Sequence, residues 1–150
     1  MILQQISYES GKFKVEVFDQ QTDENHTYFA IDMVTQFAVD AAFERQVTVD
    51  LAHDDRDNIR EIKSEVAKTQ VPPGRGRFII TRISTEEQVG RLIAEIFHKS
   101  PPDTEEHEGK TNDPVTLMLC HSAYALNHPL DLTLDQDNEI TAVVKTAGPG

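Results

Sequence analysis

One cysteine and six histidines are the residues of this 150-residue chain best suited to nucleophilic or metal chemistry. Cys120 closes the apolar run Val115-Thr116-Leu117-Met118-Leu119. If that run is a strand, Cys120 lies at its carboxyl end, the edge where open α/β sheets gather ligands and reactive groups. A thiol there becomes a nucleophile when a base or a helix N-terminus lowers its pKa. A cysteine is also a small, readily buried hydrophobe, so a core role stays open beside the catalytic one. The triplet His53-Asp54-Asp55 follows the short apolar segment 47–51 and offers acid–base groups or metal ligands. Adjacent side chains diverge, however, and the two acids equally suit the positive N-terminal end of a helix. His26, His98, His107, His121 and His128 show no metal-ligand spacing, so no metal and no cofactor are expected. Gly74-Arg75-Gly76-Arg77 lacks the pattern of a phosphate loop and reads as a local basic spot. Asp131, Asp135, Asp137 and Glu139 lack the glycine and distal glutamate of a calcium loop and read as a solvated hairpin tip. The candidate catalytic residues are therefore Cys120 and His53. The candidate binding residues are Asp54, Asp55, Arg75 and Arg77.

These residues sit on an acidic chain: 26 acids against 14 bases give a formal charge of −12. That charge repels nucleic-acid phosphates and anionic membrane surfaces, and it speeds encounter with a basic partner. No stretch approaches the roughly 20 apolar residues that span a bilayer. A single cysteine forms no internal disulfide, which fits a reducing compartment. Met1 to Gln5 lack the basic start and apolar core of a secretion signal. The expected location is cytoplasmic, or outside by a route without a cleaved signal peptide.

The elements that must position the candidates read as follows. Ile6 and Tyr8 alternate before Ser10-Gly11, and Phe13, Val15 and Val17 alternate after it, a strand–turn–strand signal. Residues 28–44 carry the helical stripe Phe29, Met33, Phe37, although 28–34 also suits a strand. Strands are expected at 47–51 and 78–83, and a helix at 59–66. Ser84-Thr85-Glu86-Glu87 has the form of a capping box, and Val89, Leu92, Ile93, Ile96 and Phe97 follow at helical spacing. A helix is expected there, with Leu92 in the core. Residues 103–113 read as a mobile acidic loop, 115–119 as a buried central strand, and 130–144 as a second hairpin. The tail 146–150 should fray. Together these predict one α/β domain over 1–150: a three-layer mixed sheet with a parallel centre, helices on both faces, and hairpins at the two ends.

The segments Phe78-Ile79-Ile80, Ser84 to Ile93, and Val115 to Ala123 resemble caspase-like cysteine peptidases, in particular the autoprocessing domains of bacterial toxins. The resemblance covers about residues 77–123. It implies that the family's Cys-x-Ser ending falls on Cys120-His121-Ser122. The family's Gly-His-Gly is replaced here by Thr81-Arg82-Ile83-Ser84, so the resemblance supplies no base, and His53 is the substitute. Two readings follow. One is an acidic protein-binding module of accessory, immunity or effector type on a catalytically incomplete scaffold. The other is a small cysteine hydrolase using Cys120. The partners expected are a protein, basic in character, and a second copy through an exposed edge strand.

Overall fold

A computed structural model describes residues 1–64, 74 and 76–147. Strands β1 (Ile2–Glu9) and β2 (Lys12–Asp19) form the first hairpin, turned by Ser10 and Gly11, both at positive φ. Inward Leu3, Ile6, Phe13, Val15 and Val17 alternate with exposed or half-buried neighbours, the period a one-sided sheet requires. β3 (Glu24–Ala30) continues the meander. Helix α1 (Met33–Arg45) then begins at Asp32, whose carboxylate accepts from the Thr35 N–H at 2.8 Å, and ends at Gln46 in the left-handed region. The segment 28–44 is thus strand first and helix after.

β4 (Val49–His53) and β5 (Ile59–Ser64) form a two-stranded sheet. β6 (Ile79–Gln88), β7 (Arg91–Lys99) and β8 (His107–Thr111) form a three-stranded one in that order. Helix α2 (Pro114–Ala125) leads to β9 (Asp131–Leu134) and β10 (Ile140–Thr146). β10 pairs with β1 and closes a five-stranded sheet in the order β3-β2-β1-β10-β9. Single bridges join the sheets: Phe29 to Asn58, Lys110 to Glu139, and Phe78 to Leu130, the last with reciprocal hydrogen bonds of 2.9 and 3.0 Å. α1 packs on α2, β1, β3 and β5, while α2 packs on β6 and β10.

The expected three-layer mixed sheet with a parallel centre is not the fold. Every named strand pair among the described residues is antiparallel, and parallel geometry occurs only at two isolated bridges. Three element assignments change with it. The helix expected after Ser84 is the β6–β7 hairpin: Val89 and Gly90 form a two-residue loop at φ 50° and 75°, and Ala94, Ile96 and His98 alternate inward. The same apolar residues satisfy helical spacing by coincidence, and Leu92 is 71% exposed rather than core. The strand expected at 115–119 is the first half of α2. Asp113 caps it by accepting from the Val115 N–H at 2.8 Å, and Pro114 fills the first turn, where its missing N–H costs nothing. The helix expected at 59–66 is β5 as far as Ser64; residues 65 and 66 lie outside the described residues. Residues 107–111 of the expected acidic loop are β8, and Ala147 donates to the Gln4 carbonyl at 2.8 Å.

Candidate functional site

The candidates singled out in the sequence do not converge. Cys120 is 0% exposed on the inner face of α2, and burial pushes its thiol up to about 12. A thiol so placed has neither solvent access nor thiolate character. His53 is exposed at the end of β4, donating from Nδ1 to the Asp54 carbonyl at 2.8 Å, with its ring 4.7 Å from that of Tyr28. No hydrogen bond joins it to Cys120 among the described residues.

Asp54 organises the β4–β5 turn. Its carboxylate accepts from the Arg56 and Asn58 N–H groups at 2.9 Å and from Arg60 at 2.7 Å. The backbone N–H of Asn58, foremost, pulls its pKa down to about 2. Asp135 does the same for the β9–β10 turn, accepting from the Asp137 and Glu139 N–H groups at 2.8 and 3.0 Å. Asp57 and Asn138, each three residues on, both take positive φ. The two aspartate-rich segments are therefore one loop design used twice. Asp55 is exposed in the first of them. Arg77 binds Asp131 through its N–H at 2.9 Å, which ties it to the start of β9. Arg75 lies outside the described residues.

The residues that do converge were not singled out. Lys145 of β10 is 0% exposed. Its ammonium donates to Asp40 at 2.9 Å, to Ser122 at 2.7 Å and to Glu44. Ser122 in turn donates to the second oxygen of Asp40 at 2.7 Å, and His128 donates from Nδ1 to the second oxygen of Glu44 at 2.9 Å. Burial holds the Asp40 carboxyl above its ordinary range, against the pull of Lys145 and Ser122. Glu44 feels the same burial, but His128 and Lys145 outweigh it and hold its pKa below the ordinary value. His128 Nε2 is buried without a hydrogen-bond partner among the described residues and packs on Gly74, where a Cβ would lie 1.6 Å away.

Lys145 spends its three protons on Asp40, Glu44 and Ser122, so it offers Ser122 a donor and no lone pair. Lys145 therefore does not serve as the base that a serine nucleophile needs. The cluster is a buried ionic lock joining α1, α2 and β10. Its signal in the sequence was a lysine in an apolar strand. A register shift between Ile140 and Ala142 turns Val143 and Lys145 inward, in place of Val144.

Over this lock opens an apolar groove of about 780 Å³ between α1, α2 and β6. The α1 wall is the exposed stripe Val34, Phe37, Ala41, of which Phe37 is 51% exposed and lines the groove with Ala41. The α2 wall is Leu117, Met118, His121, Ala125 and Leu126, Ile83 and Thr85 come from β6, and Arg45, Pro114 and the lock's Asp40, Glu44 and Ser122 complete the lining. The helices hold these positions because their opposite faces are fixed in the core by Val39 and Phe43 and by Val115, Leu119 and Ala123. Elsewhere, Asp103, Glu105 and His107, all exposed, bring ligand atoms within 4.8 Å of one another.

Comparison with known proteins finds no matching family model, no matching curated protein and no matching solved structure. No helix among the described residues is long and apolar enough to cross a membrane.

Proposed function

We propose that this chain is a protein-interaction module whose groove between α1 and α2 receives an apolar helical segment of a basic partner. The observation that carries the reading is the pair of apolar helix faces that meet the groove, exposed Val34-Phe37-Ala41 on α1 and, on α2, half-buried Leu117 and Met118 with exposed Ala125 and Leu126, on a chain of formal charge −12. A contiguous apolar patch on so charged a surface marks an interaction site. An apolar groove walled by two helices suits a third amphipathic helix, the helix-in-groove mode. The 13-residue α1 wall is about 20 Å long at ~1.5 Å per residue, room for three to four turns. The net charge supports a partner with lysine or arginine beside its apolar stripe, because long-range attraction speeds the encounter.

Selection from a randomised peptide library displayed on phage tests this. The expected winners carry apolar residues at i, i+3 or i+4, and i+7, flanked by basic residues. They should lose about tenfold or more in affinity for Phe37→Asp, an exposed position whose change leaves the fold intact. The reading fails if selection enriches no peptide, or if the winners bind Phe37→Asp as they bind the parent.

A further inference from the structure

Among the described residues β6 is an edge strand: it pairs with β7 on one side, and only Phe78, just before it, bridges to Leu130 on the other. The two-residue Val89-Gly90 loop fixes which groups face outward. Gln88 and Arg91 flank the loop and exchange hydrogen bonds, and bonded pairs recur at every second residue. Ser84 and Glu86 therefore bond to β7, while Ile83, Thr85 and Glu87 direct their N–H and C=O groups outward. Among the described residues no backbone hydrogen bond meets those outward groups. Ten residues of strand edge without proline form a ready template for another strand.

The charges along this edge complement themselves. Arg82 lies on the solvent face of the sheet, with its guanidinium 3.7 Å over the Phe97 ring and bonded to Glu106 at 3.0 Å. Four residues on, Glu86 shares that face and crowds Glu95. The contact with Glu86 holds the Glu95 carboxyl above its ordinary value and lowers that of Glu86. The crowded carboxylates would gain from a cation on the open side of β6.

We propose that two copies of the chain pair through the outer edges of β6, antiparallel about a two-fold axis at Ser84, joining two three-stranded sheets into one of six strands. In this register Ile83 exchanges backbone hydrogen bonds with the partner's Thr85. Arg82 of each copy stands opposite the partner's Glu86 in a non-hydrogen-bonded pair, where side chains approach most closely. A register centred on Thr85 would instead oppose Glu86 to Ser84 and Glu87 to Ile83, and would form no ion pair. The two-fold arrangement also gives the protruding hairpin tip a neighbour. Val89, fully exposed, reaches the start of the partner's β6. The Phe78–Leu130 bridge brings the exposed C-terminal end of α2, with Leu126, to that same end of the strand. Such an interface is isologous, the commonest arrangement in homo-oligomers. It places the two grooves on one face of the joined sheet.

Sedimentation equilibrium of the full chain, from micromolar to near-millimolar concentration, should give twice the 16.9 kDa of one chain. Arg82→Glu should weaken dimerisation about tenfold or more, because two attractive pairs become repulsive. Arg82→Glu combined with Glu86→Arg should restore it. Thr85→Pro removes an outward N–H without touching the β6–β7 ladder, and should leave a monomer with an unchanged circular-dichroism spectrum. A mass of one chain at every concentration overturns the proposal. So does a dimer indifferent to Arg82→Glu and Thr85→Pro, or a charge swap that fails to restore pairing. Phe37→Asp, which blocks the groove, should leave the dimer intact, so the two proposals fail separately.

Discussion

Replacing Lys145 by methionine removes the one cation among the described residues that donates to both Asp40 and Glu44. The two carboxylates, with side chains 3% exposed, would remain without their shared donor. Breaking a buried ion pair from one side costs about 3–5 kcal/mol, because the remaining charge stays desolvated. Asp40 keeps the Ser122 hydroxyl and Glu44 keeps His128, so the middle of that range, ~4 kcal/mol, is expected. For a domain of this size the loss lowers the melting temperature by about 10 °C or more. The pH dependence has a fixed sign. Loss of the ammonium raises the folded-state pKa of both carboxyls relative to the parent, and Asp40, already raised by burial, then binds its proton still more tightly in the folded than in the unfolded state. Stability of the variant must therefore fall as pH rises, and the deficit against the parent must shrink toward about pH 5. Urea unfolding followed by circular dichroism at two pH values measures both quantities. A deficit below about 1 kcal/mol at neutral pH, or one that grows on acidification, would refute the buried-lock reasoning.

Other substitutions test other parts of the structure. Leu92→Ala should cost under about 1 kcal/mol and Leu119→Ala about 2–5 kcal/mol in the same urea assay, since only Leu119 is buried. Val89→Asn should stabilise by about 0.5–1 kcal/mol, because a β-branched residue at φ 50° gives way to one that tolerates it; a melting temperature that falls contradicts the turn assignment. Gly74→Ala should destabilise by about 1–3 kcal/mol, the new methyl meeting the His128 ring, as a thermal melt would show. Iodoacetamide should alkylate Cys120 far more slowly in native than in urea-unfolded protein at pH 8, and equal rates would place the thiol outside the core.

The terminal hairpins were legible because Ser10-Gly11 and Asp135 to Glu139 are turn chemistry with alternating apolar residues on either side, although an irregularity after Ile140 turns Val143 rather than Val144 inward. The centre of the chain was not, because its apolar spacing satisfies two periods at once. Val89, Leu92, Ile93, Ile96 and Phe97 fit a helical face, yet Ala94, Ile96 and His98 fit a strand. Gly90, in the middle of the expected helix, was the deciding residue. α2 looked like a central strand because both of its core contacts and its groove wall are apolar. The Asp113-Pro114 start, a cap followed by a first-turn proline, carried the contrary signal. The ionic lock needed tertiary information, since Lys145, Ser122 and Asp40 come from three elements and a strand irregularity sets which face Lys145 takes. Asp40 and Glu44 stand one helical turn apart, which shows that they share a face but not that the face is buried.

The most direct measurement is a titration of a phage-selected basic amphipathic peptide into isotopically labelled protein, followed by amide chemical shifts. Binding in the groove predicts the largest shifts at Phe37, Ala41, Leu117, Met118, His121 and Leu126, abolished in Phe37→Asp. Shifts centred on the β4–β5 turn or on β9, with the groove residues unmoved, would contradict it.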